Sequence, residues 1–288
     1  MVAGFLGLLV LGPVRAAEPE PTPACRVEVV ESGSGWPVPL VELKTTHQLT
    51  FITDNAGVVA IDSPELMDRE VFFHVASDGY EVAKDGFGYR GVRLTPRPGT
   101  TLKVEVQRTM IARRVGRLTG GGLFAESQRT GRDRDWEESG VFGCDSVQTV
   151  VYEGRRFWLW GDTTLPRYPL GLFDSLGATS DGVPWGRAEP PLRPRFEFVR
   201  DEQGRLRGVT PMPGEGPTWA TALASVPARD GRPRLVCSYV KVRGYLEAYE
   251  WGLAVWNEAT RRFDRHKILW SHTDRKSTRL NSSHLVIS

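Results

Sequence analysis

Two aspartates, Asp145 and Asp162, bracket the stretch CDSVQTVVYEGRRFWLWGDTT, which runs from Cys144 to Thr164. Between them, Ser146 to Tyr152 and Arg155 to Trp160 alternate as strands do, and Glu153-Gly154 suits a two-residue hairpin loop. That loop sets Tyr152 opposite Arg155, Thr149 opposite Trp158, Val147 opposite Trp160 and Asp145 opposite Asp162. Directly opposed side chains have Cβ atoms about 5 Å apart, where like charges destabilise. Carboxylates so placed can share a proton, hold a cation, grip sugar hydroxyls, or point apart because Gly161 kinks the strand end. They can also cap turns, since Asp162-Thr163-Thr164 is good Asx-turn chemistry. A three-residue loop would slip the register and spoil the pairing.

Aromatic residues surround the pair. Trp158, Trp160, Trp251 and Trp256 lie inside strands, where packing is the ordinary role of such rings. Arg167, Tyr168 and Trp219 fall at strand ends or in loops, where ligands are usually met.

The elements that carry these residues are short strands. Gly 31 and Pro 20, with many runs rich in Val, Thr, Phe and Trp, predict an all-β chain, and long helical periodicity is absent. At 288 residues, 40% of them hydrophobic, the chain is long enough for one large or two ordinary cores. Apolar alternation begins at Cys25 and recurs in Pro39–Leu43, Leu49–Ile52, Val58–Ile61, Val71–Val75 and Leu102–Val106, which predicts a β-sandwich over 25–108. Thr53-Asp54-Asn55-Ala56-Gly57 and Ser77-Asp78-Gly79-Tyr80 mark its turns. His74, with no Cys or His nearby, reads as a core or face histidine. Residues 109–142, with Gly120-Gly-Gly122 and the mixed-charge run Gly131–Glu138, read as a solvated surface connector.

After Gly143 a strand, Gly-turn, strand pattern repeats. The first unit includes the hairpin and a strand over Phe173–Ser180. The second holds Thr221–Val226, the turn Ala228–Pro233, Leu235–Val240, Trp251–Trp256 and Phe263–Trp270. Serial four-stranded units of this kind are the blades of a propeller. A blade needs roughly 40 to 50 residues, so the stretch 143–273 holds only two or three and is expected to be an incomplete propeller.

Both ends are set apart. Val2 to Leu11 is an apolar run too short to span a bilayer, and Val14 with Ala16 suits signal cleavage, so 1–16 is expected to be a signal peptide. The Pro-rich segment 17–24 then reads as a linker, and the protein as secreted or periplasmic with no membrane span. Residues 274–288 change composition abruptly and resemble the translation of a sequencing adapter, so the natural protein is expected to continue past Thr273 in other residues. Removing Arg275, Lys276, Arg279 and Asp274 from the 37 basic and 35 acidic residues leaves 34 of each, and nothing then points to nucleic acid. Cys25, Cys144 and Cys237 show no metal-ligand spacing, and neither a metal nor another cofactor is expected; Cys237 reads as a buried strand residue.

Two family resemblances sharpen these readings. Pro37-Val-Pro39, Val41-Glu-Leu43, Thr53-Asp54-x-x-Gly57 and Asp78-Gly79-Tyr80 resemble the transthyretin-like, carboxypeptidase-regulatory type of β-sandwich, which usually supports a partner domain. Asp145, the Gly154 turn, the aromatic strand and Gly161-Asp162-Thr163 resemble the first blade of secreted five-bladed propellers related to glycoside hydrolases, the DUF4185-like group among them. That resemblance is best over 143–180 and weaker to Trp270. It implies a carbohydrate-active protein acting on or binding a glycan or polysaccharide, with Asp145 as base or nucleophile and Asp162 as its orienting neighbour. Glycosidic cleavage also needs a protonated carboxyl across the bond; Asp145 and Asp162 stand too close to be that pair, and the acid is expected on Glu215, in Pro213-Gly-Glu-Gly-Pro217, or on blades past Thr273. Without such an acid the alternative is a non-catalytic extracellular binding or scaffold protein.

Overall fold

The computed structural model of the protein describes residues 23–119, 126–132, 140–172, 174–182, 189–192 and 194–272. The expected signal peptide, all but the end of the Pro-rich linker and the adapter-like tail lie outside them.

The alternation that starts at Cys25 becomes β1 (Cys25–Glu31), whose every second residue is buried. It pairs antiparallel with β4 (Val58–Ile61) and parallel with β8 (Thr101–Arg108), and β6 (Tyr80–Glu81) lies outside β8. A second sheet runs in the order β3 (Thr50–Ile52), β2 (Glu42–Thr45), β5 (Val71–Ala76), β7 (Gly91–Leu94). Val27, Val29 and Val104 from the first sheet and Leu43, Phe73 and Val75 from the second meet in one core. Each fully buried side chain of this size contributes about 1.5–3 kcal/mol. The sandwich expected over 25–108 is therefore formed by two four-stranded sheets. His74 lies on its outer face, edge-on to Phe72 and Tyr89.

The Thr53–Gly57 turn shows why its residues are fixed. Asp54 Oδ1 accepts the amides of Ala56 (2.9 Å) and Val58 (3.0 Å). Gly57, at φ +70°, lies so near the β1 backbone that a Cβ would approach Val29 O to 2.5 Å.

The stretch after β8 departs from the free surface connector expected there, because its described residues are strapped to both sides. Arg113 grips Glu31 with Nε (3.0 Å) and Nη2 (2.8 Å) and lies over the Trp36 ring. Asn55 and Arg117 exchange two hydrogen bonds of 2.9 and 2.8 Å. One helical turn, α1 (Glu126–Arg129), brings fully buried Ser127 onto Asp54. Leu118 meanwhile packs beside Trp158 and Trp160 of the second unit. The reason is turn chemistry: Asp54 and Asn55 have spare acceptor and donor capacity that only the incoming strap satisfies. Of the mixed-charge run, Arg132 pairs with Glu28 at 3.0 Å, and 133–138 lie outside the described residues.

The second unit has three open sheets, none closed into a barrel or propeller among the described residues. One runs β10 (Val147–Tyr152), β11 (Arg155–Trp160), β14 (Leu176–Ser180), β15 (Glu197–Phe198). An excursion between β11 and β14 forms β12 (Thr163–Leu165) and β13 (Tyr168–Leu172), which join β9 (Gly143–Cys144) in a small sheet. The last is a meander of β16 (Thr218–Pro227), β17 (Pro233–Arg243), β18 (Glu247–Asn257) and β19 (Arg262–Ser271). The strand expected from Phe173 begins only at Leu176, because Ser175 sits at φ +48°.

Strand β11 is buried on both faces. Phe157 and Leu159 pack against Leu235, Cys237, Tyr239, Ala254 and Phe263 of the meander. Trp158 and Trp160 point the other way, into Val141, Leu176, Ala178 and Phe198, with their rings parallel at 5.9 Å. Packing is thus the role of these two tryptophans, and of Trp256 against Phe157 and Phe263; Trp251 is 40% exposed. Cys237 is buried in β17 as expected, and the three cysteines are free.

Candidate functional site

The hairpin has the register that its loop length predicts. Val147 faces Trp160, Thr149 faces Trp158 and Tyr152 faces Arg155. Glu153 and Gly154, at φ +48° and +78°, supply the two left-handed residues that a type I′ loop requires. Beyond Val147 and Trp160 the ladder breaks for two residues on each strand, then resumes at Cys144 opposite Thr163. Asp145 and Asp162 stand in that break.

Within it, Asp145 N donates to Asp162 O at 3.0 Å, but the return bond is made by a side chain: Asp162 N donates to Asp145 Oδ1 at 2.9 Å. Ser146 turns the strand at φ +38°, and Gly161 N bridges the carbonyls of Asp145 and Ser146, each at 3.2 Å. A side chain at Gly161 would have to displace the Asp145 carboxylate. A Cβ there would come within 2.0 Å of Asp145 Oδ1, so the carboxylate lies in the space a side chain would fill. The capping and site readings of Asp145 therefore coexist, since it caps an amide while remaining exposed.

Asp162 is half-buried, and its Oδ1 is enclosed with no hydrogen-bond partner. Burial first, and the charge of Asp145 second, push its carboxyl above the ordinary aspartate range; the indole N–H of Trp219 draws it partly back. Yet Trp219 Nε1 is also enclosed and closes no hydrogen bond of normal geometry. An acceptor and a donor thus lie near each other, both unsatisfied, at the mouth of the hairpin.

Strand β16 delivers Trp219 by anchors on either side of it. Thr218 N donates to Asp174 Oδ1 (3.0 Å), Ala220 N to Ser175 Oγ (3.3 Å), and Gln148 Nε2 of β10 to Ala220 O (3.1 Å). The bends at Asp174-Ser175 and the β10–β16 contact thereby fix which hairpin end the indole meets.

The structure brings Asp145, Asp162 and Trp219 together and leaves the other candidates apart. Arg167 is exposed in the β12–β13 turn and Tyr168 is 59% exposed beside it; no hydrogen bond or ion pair joins either to the aspartates. Glu215 is exposed on the loop before β16. Its carbonyl accepts from Tyr249 Oη at 2.7 Å, and its charge is felt by Arg243 and Tyr249 rather than by the aspartates. As the acid of an Asp145-centred pair it has no geometric support.

Cys144 adjoins the pair with its thiol held protonated. Burial, together with the Asp145 charge, pushes its thiol up to about 11 despite a 3.6 Å contact with Thr163 Oγ1. Among the described residues no cluster of three His, Cys, Asp or Glu could hold a metal ion, and no helix is long and apolar enough to cross a membrane.

Sequence reasoning missed the anchors Gln148, Asp174 and Ser175, and also Lys241, fully buried one pair from Trp219. Only Lys241 left a signal: it continues the inward row Leu235, Cys237, Tyr239 with a charge. Compared with known proteins, the chain matches no family model, no curated protein and no solved structure.

Proposed function

We propose that the protein is a secreted carbohydrate-active protein whose second unit binds a glycan at the hairpin mouth, between Asp162, Asp145 and Trp219. The observation that carries this reading is the pair of enclosed, unpaired atoms, Asp162 Oδ1 and Trp219 Nε1. Both atoms are closed to solvent, so a sugar hydroxyl has to enter between the indole and Asp162; there it suits both, since one O–H donates to a carboxylate while its oxygen accepts from an indole. The exposed part of Asp145 offers a further acceptor, and the Trp219 ring an apolar face of the kind sugars stack on. Leaving a buried acceptor and donor unmet costs stability, which is tolerated where a ligand meets them.

The propeller reading belongs with this function. Its support is that the β10–β15 sheet and the β16–β19 meander pack face to face, with first strands β10 and β16 adjacent, as neighbouring blades do about an axis. Hydrolysis is the second reading. It is favoured by the asymmetry of the pair, one carboxyl raised by its surroundings beside an exposed one.

The test is retention on immobilised polysaccharides, with released reducing ends assayed in parallel. Asp162→Ala and Trp219→Ala should each abolish retention while circular dichroism stays unchanged, and Asp145→Asn should abolish any release of sugar. Retention by both alanine variants equal to wild type would exclude this site as the glycan site.

A further inference from the structure

The inward row of β17 ends in a charge without a carboxylate. Leu235, Cys237 and Tyr239 pack into the core between the sheets, and Lys241 follows on the same face, only 1% exposed. Among the described residues its ammonium makes no ion pair within 4 Å. Instead Nζ donates to three backbone carbonyls of one loop: Met212 O (3.3 Å), Gly214 O (3.3 Å) and, closest, Gly216 O. Three N–H groups meet three carbonyls, which satisfies a lysine fully. Asp174 and Glu250 attract the charge from farther off, and Arg265 opposes it. Tyr239, beside it on β17, is committed to Glu250 through a 2.7 Å hydrogen bond.

The loop is shaped for this. Gly214 and Gly216, at φ +113° and +73°, turn alternate carbonyls toward one point, while the carbonyl between them, that of Glu215, accepts from Tyr249 Oη. Neither glycine tolerates a side chain: a Cβ on Gly216 would reach Val242 O at 2.0 Å, and one on Gly214 would reach Tyr249 Oη at 2.5 Å. Both loop ends are tied, Met212 N to Thr218 Oγ1 (3.3 Å) and Val242 N to Pro217 O (3.3 Å). Thr218, paired with Lys241 across the β16–β17 ladder, immediately precedes Trp219.

Convergent backbone carbonyls with carboxylates in a second ring are the surroundings of a bound cation. We infer that the 212–217 loop is a cation-binding loop whose cation is the tethered ammonium of Lys241, and that Lys241 is thereby the positioning residue that holds Trp219 at the hairpin mouth. With the side chain removed, the cage becomes a site for a free monovalent alkylammonium ion. The cage stands independently of any ligand; only its consequence for glycan retention rests on the reading above.

The experiment uses Lys241→Ala and Lys241→Met. Alanine deletes the atoms that n-propylammonium restores, whereas methionine keeps the apolar stem and loses the charge. Lys241→Ala should melt below wild type and be raised saturably by n-propylammonium chloride, with no such rise in wild type and none from n-propanol. If it folds only in the presence of n-propylammonium, the cage is likewise supported. In Lys241→Met, amide exchange at Met212 and Val242, whose N–H groups tie the two ends of the loop, should accelerate about tenfold or more, the consequence of losing hydrogen bonds to a charged group, while β18 keeps its protection. Wild-type protection of the loop in Lys241→Met, or equal rescue of Lys241→Ala by propanol, would overturn the cage. A loosened loop with undiminished glycan retention would leave the cage standing and refute the positioning role. Loss of retention in Asp162→Ala and Trp219→Ala is read separately, so failure of the glycan reading is distinguishable.

Discussion

Asp54 in the sandwich turn and Asp162 at the hairpin mouth are both enclosed carboxylates held against backbone, and their surroundings treat them in opposite ways. Asp54 is fully buried and receives four donors: the amides of Ala56, Val58 and Ser127, and the Ser127 hydroxyl. Glu31, also in the sandwich, is 5% exposed and is gripped twice by Arg113 and once by Arg108. Asp162 faces another aspartate, and its enclosed oxygen has only the Trp219 indole near it, with no hydrogen bond of normal geometry. A chain selected for stability alone supplies donors to every buried carboxylate, as this one does where the strap crosses the sandwich. The deficit at Asp162 is the one that the proposed glycan hydroxyl would fill.

The widest separation between the two regions is expected on truncation. Asp54→Ala strands four donors and cuts the strap from the turn, a loss of about 3 kcal/mol or more. Asp162→Ala removes a charge with no donor of its own to strand except the indole, and should change stability by less than about 1 kcal/mol. Urea unfolding of the two variants checks this, and equal losses would erase the contrast.

Glu31→Gln tests the strap by pH. Burial raises the Glu31 carboxyl, but hydrogen bonds and charge from Arg113 and Arg108 outweigh it and hold it below 4.5. A lowered carboxylate contributes stability that is complete above its unfolded value and fades as pH falls through the folded one. Wild type should therefore lose stability on acidification from about pH 4.5 downward relative to Glu31→Gln, which is itself weaker by about 1 kcal/mol at neutral pH because two partly exposed arginines lose their charge partner. A variant with the wild-type acid profile would remove Glu31 from the linkage.

How much of this was legible in the sequence follows from the range of the forces involved. The hairpin register, with Asp145 opposite Asp162, was readable because a two-residue loop and period-two alternation are local. Most of the sandwich strands were readable for the same reason, Val58–Ile61 within its bounds, but the run at Pro39–Leu43 forms a strand only from Glu42, and β6 and β7 carry no alternation that marks them. The strap was not. Nothing near Ser127 or Arg117 announces that Asp54 and Asn55, more than sixty positions earlier, hold their bonding capacity open for them. At the site, Gly161 could be read as a kink but not as the floor under the Asp145 carboxylate, a contact that exists only once the two strands are paired. Glu215 has the residue type and the sequence neighbours of an acid, but its loop turns it toward Tyr249 and Arg243 instead. The pairing of Asp162 with Trp219 spans fifty-odd residues and depends on how two sheets dock, which no periodicity encodes.

The smallest effect is the most discriminating, because its sign separates a site from a scaffold. The Asp162 carboxyl is raised above 3.8 by burial and by Asp145, so the folded chain holds that proton more tightly than the unfolded one does. Its contribution is then fully present below pH 3.8 and is lost as pH rises through the folded value; at neutral pH the two carboxylates simply oppose each other. Opposed like charges on paired strands cost up to about 1 kcal/mol, less where solvent screens them as at this half-open mouth. Asp162→Asn removes the repulsion and keeps the shape, so it should be slightly more stable than wild type at pH 7, by a few tenths of a kcal/mol to about 1 kcal/mol, with the gap closing as pH falls below 4. The same variant should weaken glycan retention, since an amide oxygen is a poorer acceptor for the proposed hydroxyl than a carboxylate. Paired melting curves of wild type and Asp162→Asn at pH 7 and pH 3.5 decide the sign. A variant less stable than wild type at pH 7 would make Asp162 a structural cap of the same kind as Asp54, and the difference between the two regions would then carry no functional meaning.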